Sequence, residues 1–151
     1  VIKRITNPEE FNVLIGEIDL LFKYENENEG HFLKHNKEYI INAFSHKHIL
    51  AWDFFVWANV NEENKYDAII AFVNNKNEKF GEEIFTEYLW LSKNGRIGHK
   101  LLVKALDFAR QKEFKYVSMS CVHKHPKSEK VSNFYKRLGF VKDCETYIAE
   151  L

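Results

Sequence analysis

The first chemistry-bearing stretch of the chain is Lys93-Asn94-Gly95-Arg96-Ile97-Gly98-His99-Lys100. Its two glycines let a backbone come close to a bulky anion and adopt φ > 0 where a turn requires it. Lys93, Arg96, His99 and Lys100 add positive charge around them. Ile97, Leu101, Leu102, Ala105, Leu106 and Ala109 then recur at helical spacing, while the residues just before read as an apolar strand ending in Trp90 and Leu91. A helix that starts in such a loop presents unpaired N–H groups and a partial positive charge, and both stabilise a phosphate. Strand–glycine loop–helix turns also occur as plain connections, so the stretch needs a second signal.

A proton acceptor is the next requirement. Glu87 lies two positions from both Phe85 and Leu89, and period-2 alternation puts all three on one strand face. A carboxylate among apolar side chains has a raised pKa and can take a proton, directly or through water. Glu83, on that face nearer the strand start, and Asp53, inside an aromatic strand, are the other candidates. A solvated strand residue is the competing account of each. Cys121 reads as a buried packing residue. The pairs His46/His48 and His123/His125 lack cysteine partners or a helical ligand spacing, so they read as loop histidines and no metal is expected. Trp52, Phe54, Phe55 and Trp57 read as sheet core and not as a base-stacking platform.

The elements that must position these groups follow from periodicity. Ile2–Ile5 reads as a short strand. Asn7-Pro8-Glu9-Glu10 is a helix start, with a capping side chain, a proline in the first turn and acidic residues at the positive end. Phe11, Leu14, Ile15, Ile18, Leu21 and Phe22 continue one helical stripe, and Leu33, Lys37, Ile40 and Phe44 form a weaker one. Three strands follow, over Ile49–Val60, Tyr66–Val73 and Glu83–Leu91, separated by polar loops at Asn61–Lys65 and Asn74–Gly81. After the long helix, Lys115–Val122 reads as a strand. Val131, Phe134 and Leu138 mark a last helix ended by Gly139, and Phe140-Val141 and Thr146–Ile148 read as two final strands. The expected order is β-α-α-β-β-β-α-β-α-β-β, an α/β chain on a mostly antiparallel sheet. The strand–helix–strand unit over 83–122 is its parallel crossover.

The second signal is Asn133-Phe134-Tyr135-Lys136-Arg137-Leu138-Gly139-Phe140. It resembles the F-Y-x-x-x-G-F signature of the GNAT (N-acetyltransferase) superfamily. Lys93–Gly98 resembles that superfamily's R/Q-x-x-G-x-G/A pyrophosphate loop, and a helix and a strand separate the two, as they do there. Motif-level resemblance covers about residues 83–141, and the first eighty residues match in pattern alone. The resemblance implies a GNAT-like fold and acetyl-CoA as co-substrate, with acetyl transfer to an amine. The loop Lys93, Asn94, Gly95, Arg96, Ile97, Gly98 and His99 would hold the CoA pyrophosphate. The main chain near Trp90 and Leu91 would pair with the pantetheine arm, in a cleft where this strand and the next splay apart. Tyr135 would protonate the departing thiolate, as its ordinary pKa of about 10 suits; the alternative is a core tyrosine. Phe134 would line the channel or anchor its helix. Ser128 falls where the family often has a helix-capping Asn. Lys93 replaces the usual Arg or Gln, and Arg96 replaces the first glycine of the loop pair.

Composition bounds the rest. The 151 residues, 45% apolar, are expected to form a single domain over 1–151. No apolar run reaches the roughly 18–20 residues of a membrane helix. Two cysteines and an N-terminus without an apolar leader point to the cytoplasm. Net charge is zero, but residues 1–90 carry 9 Lys+Arg against 16 Asp+Glu, and residues 91–151 carry 13 against 6. The basic part suits a polyanionic ligand and the acidic part a cationic one. A pI near 7.2 argues against nucleic acid. With this charge split, the resemblance implies an amine-bearing small molecule or a protein amino group as partner, and a monomer or homodimer. The rival reading is a non-catalytic GNAT-fold module that binds CoA or a partner protein. Arg96 favours that rival and Tyr135 opposes it.

Overall fold

The apolar runs of the central strands are long because both faces of the sheet are covered. The computed structural model describes residues 1–28, 33–45, 54–77, 79–121 and 127–151. Strands β1 (Ile2–Ile5), β2 (Phe54–Val60), β3 (Tyr66–Asn77), β4 (Glu82–Ser92) and β5 (Tyr116–Ser118) form one sheet in that order. The first four pair antiparallel, and β5 joins β4 in parallel. The helices are α1 (Pro8–Glu17), α2 (Asp19–Asn28), α3 (Lys37–Ala43), α4 (Gly95–Gln111) and α5 (Ser128–Arg137). Among the described residues no helix is long and apolar enough to cross a membrane.

Alternation along β2 and β3 feeds two cores. Phe54, Val56, Ala58, Ile69 and Ala71 pack with the stripes of α1, α2 and α3. Phe55, Trp57, Ala68, Ile70 and Phe72 face the other way, toward Leu101, Leu102, Ala105 and Ala109 of α4. Phe72 and Phe85 stack there with centroids 4.2 Å apart and planes 5° apart. On the first face, Lys3 Nζ and Tyr66 Oη both donate to Glu10 Oε1, at 2.8 and 2.6 Å, and tie α1 to β1 and β3. Asp19 is paired with Lys23 and Lys37. Part of the acidic charge in the first ninety residues is therefore already partnered.

Four boundaries differ from the sequence expectation. The first helical stripe is two helices, broken at Ile18 (φ −91°, ψ 15°), yet Ile18, Leu21 and Phe22 all stay buried. The break re-aims the chain without taking the stripe off the sheet. Second, β3 runs on through polar Asn74, Asn75 and Lys76, because antiparallel pairing with Ile84 and Glu83 continues past the covered part of the sheet. Third, β5 spans Tyr116–Ser118 and not the whole of 115–122, of which residue 122 lies outside the described residues. Fourth, the two final strands do not form: residues 140–151 follow α5 without regular structure, with Val141 and Tyr147 87% and 88% exposed. Short alternation there meets no covering layer, and an uncovered strand has little to hold it. The order is β-α-α-α-β-β-β-α-β-α, and the mixed, mostly antiparallel α/β architecture stands.

Candidate active site

The site begins where β5 stops following β4. Pairing is confined to Ile84, Phe85 and Thr86 against Tyr116, Val117 and Ser118, whereas β4 runs on to Ser92. Beyond Thr86 this edge of β4 has no strand partner among the described residues. On the opposite edge a bulge interrupts the β3–β4 register: Phe72 faces Glu87 and Ala71 faces Leu89, so Tyr88 is the extra residue. The bulge corrects the expected facing of Glu87. Glu87 shares the α4 face with Phe72 and Phe85, while Leu89 and Leu91 belong to the α1–α3 core. Beyond Tyr88 the alternation restarts in the opposite phase, and Trp90, opposite Ile70, returns to the α4 face.

Glu87 and Tyr135 meet on one residue. Ser120 N–H donates to Glu87 Oε2 at 2.9 Å, and Tyr135 Oη donates to Ser120 O at 2.9 Å. Tyr135 is buried, near Trp90, Phe134 and Phe140. Burial pushes the Glu87 carboxyl up to about 7, against the opposing Ser120 hydrogen bond. Burial also pushes the Tyr135 phenol well above its ordinary value, with the charges of Glu87 and Cys121 adding to it. The Cys121 thiol donates to Ser128 O at 3.4 Å and is raised by burial and then by Glu87. Residue 121 is exposed overall, which corrects its reading as a core cysteine.

The start of α4 departs from an open cradle of amides. Asn94 Oδ1 accepts from Arg96 N and Ile97 N at 3.0 and 3.4 Å, and Asn94 O accepts from Gly98 N at 2.9 Å. The helix thus caps itself when empty. Asn94→Ala is expected to cost about 1 kcal/mol, a fall of roughly 2–4 °C in Tm by thermal melt. Gly95, Arg96, His99 and Lys100 line a shallow open depression on this first turn. Arg96 is exposed, so its side chain does not fill the turn. His99 packs edge-on to Phe134 of α5 at 5.5 Å. Gly98 packs against Trp90: a Cβ there would stand 3.3 Å from the indole Nε1, a tight contact.

Other expected members stand apart. Lys93 reaches over the Tyr24 ring of α2, 5.8 Å from its centroid, and does not line the depression. Leu91 is buried in the α1–α3 core, so its main chain alone is available to a ligand. Ser128 opens α5 without capping it; Lys127 holds the cap position and no side chain caps the helix. Glu83 is exposed at the strand start. Asp53 and the four paired histidines lie outside the described residues. Sequence reasoning missed Ser120, whose contribution is main-chain, and Tyr88. The unalternating run Tyr88-Leu89-Trp90-Leu91 was the available signal for the bulge.

No protein-family model matches the chain, and no curated protein matches it. Solved structures do. The aminoglycoside acetyltransferase meta-AAC0020 from an uncultured soil metagenomic sample, in complex with sisomicin, superposes with a TM-score of 0.69 at 15% identity, over 100% of this chain and 96% of that one. The ribosomal-protein-alanine N-acetyltransferase of Brucella melitensis biovar Abortus 2308 gives 0.66 at 7% identity, over 100% and 99%. The chain has the GNAT acetyltransferase fold. An integron cassette protein of V. cholerae shares that fold with it at 0.66 and 18% identity, over 99% and 91%. Within the GNAT fold of this chain, the stretch of β4 beyond its pairing with β5, the capped start of α4 and the Glu87–Ser120–Tyr135 cluster adjoin one another through Trp90 and Phe134.

Proposed function

We propose that the protein is an acetyl-CoA-dependent N-acetyltransferase acting on an amine. The observation that carries this reading is the pair of side chains on Ser120: a carboxyl raised to about 7 and a buried phenol, just past the point where β4–β5 pairing ends. The basic first turn of α4 is the counterpart for a diphosphate, which would take over from Asn94 as acceptor of the Arg96 and Ile97 amides. The main chain of β4 beyond Thr86, without a strand partner among the described residues, would pair with an extended amide-bearing arm.

The chemistry follows from proton positions. An ammonium acceptor gives one proton to Glu87, directly or through water, and becomes the nucleophile. Its nitrogen attacks the thioester carbonyl, and the oxyanion that forms faces main-chain N–H groups near Leu91. Collapse breaks the C–S bond, and Tyr135 passes its proton to the leaving sulfur. The phenolate regains a proton from Glu87, and the extra proton on nitrogen leaves to solvent. Amide and free thiol are the products. Burial is the main cause of the raised phenol, and once Glu87 has taken a proton the smaller upward push from its charge is gone.

A cationic acceptor suits the acidic first ninety residues, and the sisomicin complex of a neighbour of the same fold supports that class. The second reading is a GNAT-fold module that binds CoA or a partner without turnover, favoured by the Asn94 cap over two of the loop amides. Calorimetric titration with CoA, followed by free-thiol release from acetyl-CoA with cationic and anionic amines, separates them. Binding together with amine-dependent release, greater for cationic acceptors, is expected. Binding without release for any amine leaves the regulatory module. Preference for an anionic acceptor sinks the acceptor assignment.

A further inference from the structure

Trp90 has a side chain that no role so far uses. It leaves β4 beyond the paired segment, on the α4 face. At one end its indole lies so close to α4 that a Cβ on Gly98 would stand 3.3 Å from Nε1 and 3.5 Å from Cζ2. The same indole lies beside the Tyr135 ring, with centroids 6.5 Å apart and planes 28° apart. It therefore bridges the first turn of α4 and the phenol. Those are the two places that, on the acetyltransferase reading, hold the donor's diphosphate and its sulfur.

We propose that Trp90 is the positioning residue of the donor track: its indole forms the wall along which the arm between diphosphate and sulfur runs, and it sets the spacing between α4 and Tyr135. The inference rests on the acetyltransferase reading. A large flat apolar surface is what an arm of methylenes and amides packs against. Gly98 follows from the same geometry. A glycine in a helix interior weakens it relative to alanine, and here the missing methyl leaves room for the indole.

The test is a titration of wild type, Trp90→Phe, Trp90→Ala and Gly98→Ala with CoA, read by calorimetry and tryptophan emission, beside steady-state kinetics. CoA is expected to change the emission of wild type. Trp90→Phe is expected to bind CoA within about threefold of wild type and to lose the emission change, although Trp52 and Trp57 remain. Trp90→Ala should raise the KM for acetyl-CoA roughly three- to tenfold and lower kcat, with Trp90→Phe restoring most of both. Gly98→Ala should lower kcat/KM, and combining it with Trp90→Phe should cost less than the two losses added. An unchanged emission response in Trp90→Phe, or an unchanged KM in Trp90→Ala, overturns the proposal. If Trp90→Ala does not fold, the Trp90→Phe emission and the Gly98→Ala pairing decide it. Absence of CoA binding by folded wild type overturns the acetyltransferase reading and this inference with it. That outcome is distinct from binding that is indifferent to Trp90.

Discussion

Replacing Glu87 with Gln is expected to make the protein less active and more stable at once. The activity loss follows from removing the proton acceptor, on the order of 10²- to 10⁴-fold in kcat/KM. The stability gain follows from the raised carboxyl. In the unfolded chain that group titrates near 4.5, and in the folded protein near 7. Between those values the folded state binds more protons, so stability falls as pH rises, and the full cost is present above about 7. A shift of that size corresponds to about 3 kcal/mol at pH 8, shrinking to less than about 1 kcal/mol at pH 5. Gln has no charge to bury, and its oxygen still accepts the Ser120 N–H that Glu87 now accepts at 2.9 Å. Thermal melts of both proteins at pH 5 and pH 8 check this. The variant should melt several degrees above wild type at pH 8, with the gap nearly closed at pH 5. A variant that melts lower at pH 8 contradicts the account of Glu87 as a buried, weakened acid. In wild type, kcat/KM should climb to a plateau past about pH 7, and that limb should be missing in Glu87→Gln.

Tyr135→Phe separates a catalytic phenol from a packing ring. The substitution keeps the ring contacts with Trp90, Phe134 and Phe140, at 6.5, 6.1 and 5.6 Å, and removes the hydroxyl that donates to Ser120 O. The lost hydrogen bond should cost about 1 kcal/mol of stability. The lost acid should lower kcat by roughly 10²–10⁴-fold, while the KM for acetyl-CoA changes by less than about threefold because the donor track keeps its wall. Full turnover in the Phe variant, with the same pH profile, returns Tyr135 to the core.

The parts of the fold that burial dictates were legible in the chain. The stripe of α4, from Ile97 to Ala109, and the apolar runs of β2 and β3 read directly as elements, because their periodicities are those of buried surfaces. Glu87 and Tyr135 are forty-eight positions apart in the sequence, and the structure brings both onto Ser120. Their facing was not legible. Period-2 reading placed Glu87 with Leu89, and a single extra residue at Tyr88 put them on opposite faces. A bulge leaves no signature in alternation except its interruption. The closeness of Gly98 to Trp90 was not legible for a related reason: the indole beside it comes from another element. Asn94 shows the limit of motif spacing, since a loop that matches a ligand pattern caps its own helix when nothing is bound. The final strands were overread, because Thr146–Ile148 has strand-like residues and no layer to lie against.

The most direct test of donor binding and Tyr135 chemistry together is a crystal structure of the protein with CoA. The account places the diphosphate on the first turn of α4 over Gly95–Gly98, with Asn94 displaced from the amides of Arg96 and Ile97. The sulfur should lie within about 3.5 Å of Tyr135 Oη. A diphosphate bound elsewhere, or a sulfur remote from the phenol, contradicts it.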